Sequence, residues 1–181
     1  MMKRAVVVLG LLVGVATGGN VIADGRDILV SFDGGIGVNP VQNVAGVINP
    51  DGVTFPDVRR NVVRGVTPGG GPWRIGDLKA TIDVDGRIQV KGRGLLLASG
   101  NSIGQNANQS VFATLICEAV APFVEHSSTQ VGVPLEPNGD FRIDDVLDSV
   151  PSECASPVLL IRTNNSRTWL AAGIQKLGGD E

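Results

Sequence analysis

Leu78, Ala80 and Ile82 alternate with Asp77, Lys79, Thr81 and Asp83. Past Gly86, Ile88 and Val90 alternate with Arg87, Gln89 and Lys91. A period of two on both sides of a glycine predicts two strands, each burying one face. The parity of the two runs fixes the turn between them. A two-residue Asp85-Gly86 turn would set Ile82 against Gln89, apolar against polar. A loop of Val84, Asp85 and Gly86 pairs Ile82 with Ile88 and Ala80 with Val90, and sets Asp83 opposite Arg87 and Asp77 opposite Arg93. Because a one-residue slip inverts every side chain, the buried face selects this second register. Gly86 is then expected in the left-handed conformation that closes a bulged hairpin. An EF-hand reading of the same stretch fails. With Gly86 at its sixth position, Gly92 falls where a bidentate Glu is required.

The segment VPLEPNGDFRI (133–143) repeats the device. A Pro137-Asn138-Gly139 loop pairs Leu135 with Phe141 and Val133 with Ile143, at the cost of placing Glu136 opposite Asp140. Val111 to Glu118 is apolar at nearly every position, which predicts a central strand covered on both faces. Residues 157–162 and 168–172 flank Thr163-Asn164-Asn165-Ser166 as a terminal hairpin. Shorter strands are expected over 28–32, 44–48 and 58–66. No segment sustains helical periodicity with caps over about a dozen residues. Short strands with frequent turn signals predict an all-β, antiparallel β-sandwich, immunoglobulin-like or related, as a single domain.

Composition refines this picture. Residues 24–72 hold ten glycines and five prolines, whereas the twice-longer 73–174 holds nine and five. The first zone is therefore expected to supply short strands and turns, the second the regular sheet, and 175–181 a polar tail. Residues 1–23 have the layout of a secretory signal peptide: Lys3-Arg4, an apolar run from Ala5 to Thr17, and small or apolar residues up to Ala23. The run is shorter than the about 20 residues that a membrane span needs. Cleavage after Ala23 is expected, with Gly18 as the alternative site. Losing Lys3 and Arg4 takes the net charge from −3 to −5. An acidic product argues against nucleic acid or anionic membrane as a partner, since both require a basic patch. The expected partner is an unknown protein or a cell surface, in a secreted or periplasmic setting. In such a compartment the two cysteines, Cys117 and Cys154, read as a disulfide.

Candidate chemistry is thin, and no cofactor is implied. The sole histidine, His126, lies in VEHSST and reads as an exposed turn residue. Ser127 and Ser128 beside it cannot supply triad geometry, and no G-x-S-x-G elbow occurs. The glycine-rich GVTPGGGPWRIG (65–76) lacks the Gly-Lys-Ser/Thr ending of a phosphate loop and reads as a flexible connector. Glu136, Asp140 and Asp144 are candidate cation ligands, because a facing carboxylate pair needs its repulsion relieved, by a cation or by solvent screening on an exposed edge. The loop from Ser99 to Ser110 carries five amides, Asn101, Gln105, Asn106, Asn108 and Gln109, as candidate ligand-binding groups.

Several segments together resemble an uncharacterised group of secreted bacterial all-β proteins. They are GRGLLLASGNSIGQ (92–105), VFATLICEA (111–119), VPLEPNGDFRID (133–144), CASPVLLIR (154–162) and TWLAAGI (168–174). In that group a GRGL strand, an ATLxC strand, a VPL…GDFxI hairpin and a C…PVLLIR…W ending recur in this order. The resemblance implies one disulfide-bridged β-domain and carries no known function. The function expected is an exported structural or interaction module without catalytic activity. The alternatives are a sugar or small-ligand binding domain using the 99–110 loop and, ranked third, a secreted hydrolase.

Overall fold

The computed structural model describes residues 27–43, 47–48, 54–55 and 58–177. The leader expected over 1–23, the first three residues of the strand expected over 44–48 and the end of the expected polar tail lie outside these. Among the described residues the chain forms only strands. In order they are β1 (Ile28–Gly37), β2 (Val41–Asn43), β3 (Val47–Ile48), β4 (Thr54–Phe55), β5 (Val58–Arg60), β6 (Trp73–Arg74), β7 (Asp77–Asp83), β8 (Arg87–Arg93), β9 (Leu96–Leu97), β10 (Ser110–Ile116), β11 (His126–Ser127), β12 (Val133–Pro134), β13 (Phe141–Val146), β14 (Val158–Thr163) and β15 (Trp169–Gln175).

Nine of these make one antiparallel sheet in the order β11-β10-β14-β15-β1-β7-β8-β13, with β12 also on β10. The sheet curls at β1. The first half of β1 pairs with β7, from Ile28 opposite Asp83 to Asp33 opposite Lys79. Its second half pairs with β15, and the register shifts between Phe32 and Gly35. The inner face closes around one core that includes Phe32, Leu78, Ile82, Ile88, Leu115 and Ile161. Each fully buried Leu or Ile side chain contributes roughly 1.5–3 kcal/mol. The all-β, antiparallel, single-domain expectation holds, and the packed faces belong to one continuous curled sheet.

The first hairpin has the predicted register. Asp77 faces Arg93, Ala80 faces Val90 and Ile82 faces Ile88. Gly86 has φ +87°, and its N–H donates to Asp83 O at 3.0 Å. The terminal hairpin also forms, with Leu160 opposite Ala172 and Ile161 opposite Ala171. Strand β10 lies between β14 and the short β11 and β12, and Val111 to Cys117 are all buried. The predicted disulfide joins Cys117, just past β10, to Cys154, just before β14, across a separation of 37 residues. On a chain-entropy account, closing such a loop stabilises by about 4 kcal/mol.

Four expectations need correction. The 133–143 hairpin does not pair Val133 with Ile143, because Val133 lies opposite Val111 on β10 and Ile143 opposite Val90 on β8. The regular sheet is not confined to residues 73–174, because β1 from the glycine-rich zone lies near its centre. The strand expected over 58–66 stops at Arg60, where the chain turns through Arg64 (φ 49°) and Gly65 (φ 82°) and bridges Val63 to Val66. The 65–76 stretch is packed rather than a loose connector. Gly69 N–H donates to Trp169 O, Trp73 pairs with Leu97, and Val66 and Trp73 are buried. Valine and tryptophan anchors outweigh the glycines between them.

Candidate functional site

The amide-rich loop is tied at its neck, where Leu97 N–H donates to Gln105 O and Gly104 N–H to Leu97 O, both at 2.9 Å. Two of its five amides are spent on backbone groups in and beside the loop. Asn106 Nδ2 donates to the carbonyls of Leu135 and Glu136 at 3.0 Å, and its Oδ1 accepts from Asn108 N–H. Gln109 Nε2 donates to Ala107 O. Gln105, Asn106 and Asn108 line a shallow dish of about 280 Å³ with Pro137, while Asn101 is exposed outside it. The structure thus gathers three of the five candidates, one of them already engaged by backbone.

The candidate cation ligands do not converge. Glu136 and Asp140 face each other as the parity predicts, with Glu136 N–H donating to Asp140 O at 2.9 Å. The Asp140 carboxylate turns away and accepts from Gly94 N–H at 3.0 Å. Asp144 sits on β13 and accepts from Gln89 Nε2 at 3.1 Å and Arg87 Nη2 at 3.0 Å. Those contacts hold its carboxyl below the usual carboxylate range, against a smaller upward push from burial. Among the described residues no three His, Cys, Asp or Glu side chains gather as a metal site would require. A charge-assisted bond from a backbone N–H, rather than a cation, engages the Asp140 carboxylate.

His126 is not an exposed turn residue. It lies buried in β11, opposite Leu115, and its Nδ1 lies 2.8 Å from Ser149 Oγ. Ser149 Oγ in turn donates to Asp148 Oδ1 at 3.3 Å. The adjacent serines point elsewhere. Ser127 Oγ bonds Thr114 Oγ1 at 2.9 Å, and Ser128 Oγ accepts from Ala113 N–H at 3.1 Å. Asp148 and Asp145 stitch the sheet's two edges together by accepting from Ser127 N–H (2.9 Å) and Thr129 N–H (2.7 Å). Burial pushes the Asp145 carboxyl up, but the N–H donors of Thr129 and Val146 outweigh it and leave the group below its ordinary value. Beside this seam, buried Arg162 donates to Glu125 Oε2 at 2.6 Å and Thr114 Oγ1 at 3.3 Å. A spacing of 23 residues between His126 and Ser149 left no local signal for this contact.

One surface had no counterpart in the sequence reading. On the outer face of β1, β7, β8 and β13 lies an open groove of about 490 Å³, lined in part by Lys79, Lys91, Arg142 and Lys176. These cations are scattered over nearly 100 positions of sequence, and only strand pairing brings them together. No family model matches the chain, and neither does any curated protein or solved structure.

Proposed function

We propose that the protein is an exported, disulfide-stapled interaction module without catalytic activity. The reading is carried by how its reactive side chains are used. Asp140, Asp145 and Asp148 each accept from a backbone N–H that holds loops or sheet edges together, and the only imidazole is buried against Ser149. Groups committed to folding contacts are poorly placed to exchange protons with a substrate. The leader-like residues 1–23 and the Cys117–Cys154 bridge support an oxidising destination outside the cytoplasm. Among the described residues no helix is long and apolar enough to cross a membrane. The resemblance to secreted bacterial β-proteins points the same way.

The test is expression of the full chain in a bacterial host, followed by fractionation, N-terminal sequencing and non-reducing mass spectrometry. The expected product begins at Asp24 or Gly19, lies outside the cytoplasm and carries the Cys117–Cys154 linkage. Uncleaved chain with two alkylatable thiols would defeat the export reading. A screen against ester, glycoside and peptide substrates tests the rest. Turnover that disappears in Ser149→Ala would make the protein a hydrolase.

A further inference from the structure

The outward face of β7, β8 and β13 holds a row of cations against their mutual repulsion. Lys79 lies directly opposite Lys91, and Lys91 directly opposite Arg142. Such neighbours stand about 5 Å apart at Cβ, where like charges destabilise a sheet. Asp33 reaches Lys79 Nζ at 3.6 Å. Among the described residues, no acidic side chain forms an ion pair with Lys91, Arg142 or Lys176. The next row on this face is neutral over three strands, with Ser31, Thr81 and Gln89 in register, and ends on β13 in Asp144, whose carboxylate is held by Gln89 and Arg87.

We propose that this groove binds an extended, carboxylated polysaccharide. Cations one strand apart, about 4.8 Å, form a line across the sheet that suits a ribbon of repeated negative charges better than a single small ion. The hydroxyls of Ser31 and Thr81 on this row are matched partners for sugar hydroxyl groups, whereas the Gln89 amide is engaged by Asp144. A nucleic acid fits less well. Both tryptophans and Phe32 are buried, so the described lining offers no exposed ring for base stacking, the sequence-tolerant term of about 1–3 kcal/mol per base. The inference rests on the interaction-module reading, but the export and disulfide measurements stand whatever its fate.

Calorimetric titration of the full folded protein with an oligogalacturonate hexamer in low salt tests it. Saturable binding is expected, weakened about tenfold or more by Lys91→Glu and again by Arg142→Glu. Arg167→Glu makes the same charge change on the distant 164–167 turn and should leave the affinity within about twofold. A Tm for Lys91→Glu at or above that of the native protein separates lost binding from lost folding. The proposal is overturned by an absence of saturable binding, by equal weakening in Arg167→Glu, or by equal binding of the methyl-esterified hexamer. Tighter binding of polyphosphate, single-stranded DNA or phosphatidylglycerol vesicles overturns it too, by assigning the groove to phosphate.

Discussion

Two turns in this molecule are written in the same chemistry and end differently. Val84-Asp85-Gly86 and Pro137-Asn138-Gly139 both place a glycine at positive φ, +87° and +81°, and both are closed by its N–H, to Asp83 O and to Glu136 O. The first opens into a ladder in which β7 and β8 pair along their whole length. The second closes only the Glu136–Asp140 step, after which β12 joins β10 and β13 joins β8. Turn chemistry therefore sets local geometry, while the ladder goes to whichever neighbour buries more. The upstream arm of the second turn is short. Pro134 has no N–H to give, and Gly132 lies so close to Val111 that a Cβ there would come within 2.5 Å of the Val111 carbonyl oxygen. Its apolar residues are better covered by β10.

The full ladder makes the sharpest prediction. Ile82 is fully buried in it, and Thr81, one position away, faces outward. Ile82→Asp strands a charge in the core and should cost about 4 kcal/mol or more, whereas Thr81→Asp should cost less than about 1 kcal/mol. Urea denaturation of the two variants checks this, and equal costs would mean that β7 does not alternate as described.

The two glycines come next. Both resist a side chain through their positive φ, a strain of about 1–3 kcal/mol for a non-glycine residue. They differ in what a Cβ would strike. At Gly139 it meets backbone N and O of Leu95 at 2.6 Å, and at Gly86 it meets only Val150 Cγ2 at 2.5 Å. Backbone cannot yield, but an exposed valine can. Gly139→Ala should therefore cost about 3 kcal/mol or more and Gly86→Ala about 1–2 kcal/mol. Adding Val150→Ala should recover part of the second loss and none of the first. Thermal melts giving the same cost at both glycines would erase the distinction between the turns.

How much of this was legible beforehand follows the same division. Parity gave the β7–β8 register and the facing of Glu136 and Asp140, an unbroken apolar run gave the covered strand β10, and apolar runs flanking turn residues gave the terminal hairpin, because each depends on positions close in sequence. Pairings between distant segments were not legible. Nothing local says that β1 bends from β7 to β15, that Gly94 caps Asp140, or that His126 meets Ser149. The amide loop was legible as a loop, but not that Asn106 serves Leu135 and Glu136. The cationic groove was hidden for a further reason. A net acidic composition says nothing about where the positive charges collect, and Lys79, Lys91 and Arg142 become neighbours only through two strand registers.

Acid should separate the two regions more gently. The split at the second turn leaves β13 joined to the β11 edge by one backbone bond, Asp148 N–H to Ser127 O at 2.8 Å, and by two carboxylates, Asp145 on Thr129 and Asp148 on Ser127, while β7 and β8 rely on a full ladder and core packing. A carboxyl whose folded pKa is depressed contributes stability that is present above its unfolded pKa and is lost as pH falls through the folded value. Asp145 is such a group. Below about pH 4, the ordinary Asp value, the Thr129 amide that Asp145 holds should therefore lose hydrogen-exchange protection before amides 78–92 do. Asp145→Asn should flatten that acid loss. Simultaneous opening of both regions at pH 3 would show that the seam does not depend on its carboxylates.

The smallest effect runs opposite to all of these, because it should stabilise. Lys91 stands between two like charges, Lys79 on one side and Arg142 on the other. Opposite-charge pairs across strands gain about 0.2–1 kcal/mol each, and like pairs lose a similar amount. Lys91→Glu replaces two repulsive pairs with two attractive ones, so the β7–β8–β13 face should gain about 0.5–1 kcal/mol after screening by solvent. Raising the salt concentration should shrink that gain, since exposed charges are screened over about 8–10 Å. The same substitution at an isolated exposed lysine would carry no such bonus. If Lys91→Glu is less stable than the native protein in low salt, the row is not repulsive, and the strand register that builds the groove must be different. If it is more stable, the native sheet holds its cations at a cost in stability, as a surface kept for binding would.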